Sequence, residues 1–172
     1  IKMDGLLMTC EEKINITIIG GSRGLGNWIA QELKKDNYNV TITSRNKSSG
    51  EKIAQKMGVN YNNNNIDSIK NADVIIFSVP IEYMLDTIKE VAPHAPEKAL
   101  LMDITSVKTE PAKALEDYAP KNTEILPCHP MFGPRVPSLE GQVVILTPIE
   151  NRCNSWYDKI VKYLKKHDAN VV

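Results

Sequence analysis

The chain has 172 residues, of which 42% are hydrophobic and 24% are charged, as expected for one globular domain with a buried core. Its 21 basic and 21 acidic residues balance, so no overall field draws it to nucleic acid or to an anionic membrane. The three cysteines and three histidines lack the spacing of a zinc site or a disulfide framework. These features predict a cytoplasmic protein with no metal, nucleic-acid or membrane partner.

Short apolar runs alternate with amphipathic stretches along the chain. Strands are predicted at 14–19, 39–43, 74–78, 99–102, 123–126, 143–146 and 169–172. Helices are predicted where apolar residues recur at helical spacing, in stripes that contain Leu25, Trp28, Ile29 and Leu33; Ile53 and Met57; Met84, Leu85, Ile88 and Val91; Pro111 and Leu115; and Trp156, Ile160, Tyr163 and Leu164. This order predicts an α/β fold with a doubly wound, mostly parallel sheet.

Two segments break the alternation. The polar "NYNNNN" at 60–65 is predicted to be a surface loop. The proline-rich "PCHPMFGPRVP" at 127–137 is predicted to be neither a helix nor a central strand, because its prolines fix φ and remove hydrogen-bond donors. Residues 1–13 are interpreted as an N-terminal extension and 14–172 as one domain, and we expect the chain to be a fragment of a longer protein.

A glycine-rich turn joins the first strand to the first helix. It contains Gly20, Gly21, Ser22, Arg23, Gly24, Leu25 and Gly26. Glycines allow close backbone approach and the helix N-terminus favours negative charge, which predicts a pyrophosphate site in a Rossmann-like NAD(P)-binding domain. The strict GxGxxG pattern is not met, the spacing also fits short-chain dehydrogenases, and a simple flexible turn is the alternative.

The second strand ends in "TITSRN", where NAD-preferring domains carry an acidic residue for the ribose. Here Ser44 and Arg45 stand instead. A hydroxyl and a guanidinium suit a 2′-phosphate, so the sequence favours NADP, with NAD as the alternative. The competing interpretation is that Arg45 is a solvated surface charge.

Three further strand ends are predicted to meet the glycine turn at one sheet edge, where open α/β folds bind ligands. "IIFSVP" places Ser78, Val79 and Pro80 beside the cofactor, and "DITSVK" and "CHPMFGP" follow the next two strands. We therefore expect four loops to line one crevice.

His129 is the candidate proton acceptor for hydride transfer from a hydroxyl-bearing carbon. We expect it at a strand end, on a loop stiffened by Pro130 and Pro134. Ser106 is a candidate for orienting the substrate hydroxyl, and Lys108 for contacting a carboxylate. The alternatives are a simple hydrogen-bonding role for His129, a helix cap for Ser106 and a surface charge for Lys108.

The motifs "IIGGSRGLG", "SVPI", "DITSVK" and "HPMFGP", in this order, resemble the nucleotide-binding domain of the prephenate dehydrogenase family. The resemblance implies NAD(P)-dependent oxidative decarboxylation of prephenate to 4-hydroxyphenylpyruvate in tyrosine biosynthesis. It implies that His129 accepts the hydrogen bond of the ring hydroxyl and that Ser106 orients it. It also implies a helical substrate and dimerisation domain that this chain lacks, so the fragment alone is expected to bind cofactor and turn over little, with a homodimer expected of the full-length protein.

Four other functions compete with this one. Arogenate dehydrogenase shares the whole pattern. An NADP:deazaflavin oxidoreductase shares the glycine turn and the Ser-Arg pair but does not need "HPMFGP". A short-chain dehydrogenase is disfavoured, because no Tyr-x3-Lys pair is present. A non-catalytic NADP-binding domain stays open.

Overall fold

The computed structural model describes residues 13–107 and 109–172. Its main sheet consists of β1 (Asn15–Ile19), β2 (Asn39–Ile42), β3 (Asn60–Tyr61), β4 (Val74–Phe77), β5 (Leu100–Asp103) and β6 (Glu124–Ile125). The strands lie in the order β3-β2-β1-β4-β5-β6, and every neighbouring pair is parallel. The predicted doubly wound sheet is thereby confirmed.

Helices cover both faces of this sheet. They are α1 (Gly24–Lys35), α2 (Lys47–Met57), α3 (Asn65–Ser68), α4 (Ile81–Val91), α5 (Thr109–Tyr118) and α6 (Trp156–Lys166). Successive residues of β1 point to opposite faces, so Ile18 packs with the α1 side and Ile19 with the α4 side. None of these helices, as far as the described ranges go, is long and apolar enough to cross a bilayer.

A second, three-stranded sheet follows the main one. It contains β7 (Cys128–Pro130), β8 (Val143–Leu146) and β9 (Asn170–Val171), with β7 antiparallel and β9 parallel to β8. The prediction of a loop around His129 is therefore wrong, because residues 128–130 form an edge strand. An edge position tolerates Pro130, which has no N–H to donate.

The polar segment 60–65 also departs from its predicted loop. Asn60 and Tyr61 form β3, and α3 begins at Asn65. The reason is a chain of side-chain amides, in which Asn60 Nδ2 donates to Asn39 Oδ1 (2.9 Å) and Asn39 Nδ2 donates to Asn15 Oδ1 (2.6 Å). These hydrogen bonds hold β3 against β2 without the apolar alternation that marks most strands.

The two faces of the main sheet are packed unequally. An apolar cavity of about 160 Å³ lies between the sheet and helices α1 and α6, and both Trp28 and Trp156 line it. Trp28 and Leu33 of α1 keep 9% and 8% of their surface exposed, whereas Met84 and Ile88 of α4 keep 0%. The α1 face therefore retains apolar free space beside its core residues.

Candidate functional site

The carboxyl ends of four parallel strands open into one cleft of about 660 Å³. Loops after β1, β2, β4 and β5 line it, which agrees with ligand binding at the carboxyl edge of an open α/β sheet. The prediction that the "CHPMFGP" segment is one of the four lining loops is wrong, because residues 128–134 do not line this cleft and the loop after β2 does. The predicted site residues among its lining are Gly20, Ser22, Arg23, Gly24, Leu25, Ser44, Arg45, Ser78, Val79, Pro80 and Ser106. Gly21 and Gly26 are buried behind this surface.

The glycine turn is fixed by backbone hydrogen bonds to its neighbours. The Gly20 amide donates to Thr43 Oγ1 (3.0 Å), and the Gly21 amide donates to the Ile18 carbonyl (3.2 Å). Gly20 has φ +78°, and a Cβ there would lie 2.8 Å from the Ser78 carbonyl oxygen. Only glycine fits both this positive φ and the close approach of the Ser78 carbonyl, as the sequence predicts for this turn.

The N-terminus of α1 opens into the cleft, because Gly24 and Leu25 of its first turn line it. Arg23 is the N-cap, its side chain makes no capping hydrogen bond, and the first turn holds no acidic residue. The first N–H groups of a helix have no partner within the helix, and the helix dipole favours negative charge near them. The arrangement suits a phosphate group.

Close contact between α1 and the end of β4 shapes the floor of the cleft. A Cβ on Gly26 would lie 2.3 Å from Ser78 Oγ and 2.7 Å from Ser78 Cβ. The helix can approach the Ser78–Pro80 loop this closely only because residue 26 has no side chain.

The end of β2 carries positive and neutral groups. Ser44 Oγ donates to the Asn46 carbonyl (2.8 Å) and lies 3.0 Å from the Tyr61 hydroxyl, so its hydroxyl already has partners. The Arg45 guanidinium is exposed and lies 4.0 Å from the centre of the Tyr83 ring. In the part of the chain that the structure describes, the cleft lining contains Arg23 and Arg45 and no acidic residue.

The loop after β5 holds Ser106 at the cleft. Buried Asp103 accepts hydrogen bonds from the Thr105 amide (3.2 Å) and from the Thr105 hydroxyl, whose oxygen also lies 2.8 Å from the Val107 carbonyl oxygen. These bonds fix the backbone on both sides of Ser106, which is exposed. Lys108 lies outside the described residues.

His129 lies on β7, opposite Ile145 of β8, and is half-buried. It is not among the residues that line the cleft. Its neighbours Cys128 and Pro130 line the apolar cavity, and Ile104 of the β5 loop lines both the cavity and the cleft. The strand that carries His129 therefore adjoins the loop that carries Ser106.

Further contacts tie the segment after His129 to the first helix. Phe132 packs edge-on against Trp28 with ring centres 5.2 Å apart, and Trp28 Nε1 donates to the Val136 carbonyl (2.9 Å). Because Trp28 is one turn into α1, this segment is anchored near the helix end that carries the glycine turn.

Sequence reasoning missed several cleft residues. Asn46 and Ser49 line the cleft at the start of α2, where Asn46 Oδ1 accepts from the Ser49 amide (3.0 Å). An asparagine three residues before a serine at a helix start is an N-cap signal that could have identified them. Ile81, Met84, Ile104, Thr105 and Val107 also line it, and their apolar or loop positions carried no chemical signal.

The strand order and the glycine turn in the first crossover define a Rossmann-type nucleotide-binding domain. Residues 29–172 match the family described as prephenate dehydrogenase, nucleotide-binding domain. The chain belongs to this family, which confirms the resemblance seen in its motifs.

Comparison with individual proteins agrees with this assignment. A probable arogenate/prephenate dehydrogenase of Methanocaldococcus jannaschii is 47% identical over 160 residues, which are 92% of this chain and 36% of the relative. The crystal structure of Synechocystis arogenate dehydrogenase superimposes with a TM-score of 0.78 at 20% identity, over 92% of this chain and 59% of that one. Prephenate dehydrogenase from Aquifex aeolicus, solved with hydroxyphenyl propionate and NAD+, gives 0.72 at 22% identity, over 92% and 59%. The chain spans about a third of the length of the curated relatives it matches.

Proposed function

We propose that this chain is the cofactor-binding part of an enzyme that oxidises prephenate with NAD(P), releases carbon dioxide and forms 4-hydroxyphenylpyruvate for tyrosine synthesis. The observation that carries the proposal is that the glycine turn and the Ser106 loop line the same cleft. Membership of the prephenate dehydrogenase family supports the substrate. The cofactor and substrate groups would then meet at the carboxyl edge of β1, β4 and β5.

The phosphates of the dinucleotide would be held by the glycine turn. Gly20, Ser22, Gly24 and Leu25 line the cleft, Arg23 adds a positive charge, and the start of α1 supplies N–H groups that have no partner within the helix. On the other side of the cleft, Ser78, Val79 and Pro80 would contact the cofactor. Gly21 and Gly26 would not touch it, but would let the turn and α1 pack closely against β1, β2 and Ser78.

NADP is proposed as the preferred cofactor, with NAD as the alternative. A 2′-phosphate at the end of β2 would meet the Arg45 guanidinium, and no carboxylate among the described lining residues would repel it. The Ser44 hydroxyl is proposed to contribute less, because it already donates to the Asn46 carbonyl.

The bound dinucleotide would supply the hydride acceptor. The chain's own residues would manage the hydroxyl on the carbon that loses hydride: His129 takes its proton, and Ser106 orients it by hydrogen bonding. Departure of the carboxylate as carbon dioxide leaves its bonding electrons in the ring, which becomes aromatic. Lys108 is proposed to contact a substrate carboxylate.

Arogenate in place of prephenate is the second candidate substrate, because a probable arogenate/prephenate dehydrogenase is 47% identical to this chain. The deazaflavin reductase and the non-catalytic NADP-binding domain are alternatives that the activity test separates. The homodimer and the cytoplasmic location of the full-length protein are proposed on the family resemblance and the odd cysteine count.

The test is an activity assay of the full-length gene product with prephenate and with arogenate, each with NAD and with NADP. Carbon dioxide release coupled to cofactor reduction with either substrate supports the proposal. Tight NADP binding without turnover of either substrate would instead favour the non-catalytic domain. Cofactor reduction by a reduced deazaflavin alone would favour the reductase.

A further inference from the structure

Tyr83 is neither a predicted site residue nor part of the cleft lining. Its ring nevertheless contacts Arg45, which among the described residues is the one side chain at the end of β2 that brings a full positive charge to the cleft. The guanidinium carbon of Arg45 lies 4.0 Å from the centre of the Tyr83 ring. Tyr83 is in the first turn of α4, and 45% of its surface is exposed. A tyrosine with this exposure is not held there by burial in the core.

The two residues come from opposite sides of the glycine turn. Arg45 follows β2 and Tyr83 follows β4, and these strands flank β1 in the sheet. Their contact therefore reaches across the end of β1, beside the position proposed for the adenosine end of the cofactor.

The ring contact is what fixes the Arg45 side chain in this structure. Within the described ranges, its guanidinium has no hydrogen bond and no carboxylate at ion-pair distance. The contact with the ring uses no N–H donor of Arg45 in a hydrogen bond, so these donors can bind phosphate oxygens.

We propose that Tyr83 is a positioning residue that holds the Arg45 guanidinium for the 2′-phosphate of NADP and so increases the preference for NADP over NAD. This inference rests on the proposed function of the cleft. Its physical basis is preorganisation: an arginine that already has restricted rotamers loses less entropy when it binds the phosphate.

The experiment measures the dissociation constants of NADP and of NAD by calorimetry for the wild type and for Tyr83→Ala, Tyr83→Phe and Arg45→Ala. Loss of an exposed cation–π contact predicts that Tyr83→Ala weakens NADP binding about two- to fivefold and leaves NAD binding unchanged. Tyr83→Phe keeps the ring and is expected to retain the wild-type ratio. In an Arg45→Ala background, Tyr83→Ala is expected to have no further effect.

Tyr118 provides a matched control, because it is an exposed helical tyrosine near a lysine, Lys89, and lies outside the cleft lining. Tyr118→Ala is expected to change neither constant. Equal weakening of NAD and NADP by Tyr83→Ala, or a loss in Tyr83→Phe as large as that in Tyr83→Ala, would overturn the positioning role. If Arg45→Ala leaves the NADP preference intact, the 2′-phosphate site itself fails; if Arg45→Ala removes it and Tyr83→Ala does not, only the role of Tyr83 fails.

Discussion

The backbone amide of Gly20 donates a 3.0 Å hydrogen bond to the side-chain oxygen of Thr43, which joins the ends of β1 and β2 beneath the cleft. Thr43 is 1% exposed, so its side chain is held in place beneath the turn. The conformation of the glycine turn is therefore held by a side chain at the end of the neighbouring strand.

Replacing Thr43 by valine tests this bond. The change keeps the shape but removes the acceptor of the half-buried Gly20 N–H, which costs about 0.5–1.5 kcal/mol of unfolding free energy. We expect weaker binding of NAD and NADP alike, measured by chemical denaturation and calorimetry. Thr43→Ser retains the oxygen and is the control; a Thr43→Val protein with unchanged stability and affinity would show that the bond is unimportant.

The contact between Gly26 and Ser78 predicts the outcome of adding one methyl group. Gly26→Ala would place Cβ 2.3 Å from Ser78 Oγ, so α1 or the β4 loop must move. Overpacking of this kind costs about 1–3 kcal/mol. Thermal and urea unfolding measure the loss, and Gly26→Ala combined with Ser78→Gly should recover part of it. No recovery in the double variant would place the strain elsewhere.

Charge reversal at Arg45 tests the cofactor preference. Arg45→Asp removes a charge-assisted hydrogen bond, worth about 1.5–3 kcal/mol, and adds repulsion toward a 2′-phosphate. NADP affinity should therefore fall about ten- to a hundredfold, while NAD affinity changes little. Lys47→Asp, two residues away and outside the cleft lining, is the matched charge-reversal control. Equal weakening of both dinucleotides by Arg45→Asp would argue against contact with the 2′-phosphate.

His129→Asn tests the proposed proton acceptor in the full-length protein. Loss of a general base lowers turnover about a hundred- to ten-thousandfold. Cofactor affinity should stay at the wild-type value, because His129 is not in the lining of the cofactor cleft. His94→Asn, at an exposed histidine, is the control. Full activity in His129→Asn would remove this residue from the mechanism.

Cys153 is predicted to be an unreactive thiol. Burial, and then the nearby Glu124 carboxylate, raise its pKa to about 12. The variant for the test has Cys10 and Cys128 replaced by serine, so that only Cys153 can react. Because the thiolate is the reacting form, alkylation of Cys153 by iodoacetamide should be slow at pH 8 and should still accelerate above pH 10. The raised pKa also means that the protonated Cys153 thiol stabilises the folded state below the ordinary thiol pKa. This contribution is lost as pH rises toward 12.

Glu124→Gln provides the internal check on this thiol. It removes the negative charge and keeps an oxygen that can accept from the Ser155 and Trp156 amides, as Glu124 Oε1 does at 2.8 and 3.0 Å. Alkylation of Cys153 should then be faster at pH 8. If the rate of Cys153 alkylation reaches its plateau near pH 9 in the protein that keeps Glu124, the raised pKa of Cys153 is contradicted.

The parts of the fold that the sequence predicted are those where apolar burial decides the structure. β4 is a continuous apolar run, β5 is apolar up to Asp103, and β1 is mostly isoleucine; all three lie in the middle of the parallel sheet. The glycine turn was predictable because its backbone demands a residue without a side chain. Leu85 shows the limit of the pattern: it is 41% exposed, because the buried stripe of α4 is narrow and runs through Met84 and Ile88.

The remaining features depend on contacts between segments that are distant in the sequence. The asparagine chain that forms β3 has no apolar periodicity, and the pairing of β7 with β8 joins residues separated by a long connection. The stacking of Arg45 on Tyr83 depends on the side-by-side order of β2, β1 and β4. Such contacts follow from the assembled topology, which a local pattern does not contain.

The free space beneath α1 also determines how the molecule would respond to hydrostatic pressure. Pressure acts most where apolar side chains leave space unfilled, so the less tightly packed side of a sheet is expected to yield first. Here that side is the one lined by Trp28 and Trp156, and α1, which begins at the glycine turn, belongs to it. We therefore expect high pressure to loosen the packing beneath α1, which supports the cleft, before the packing beneath α4.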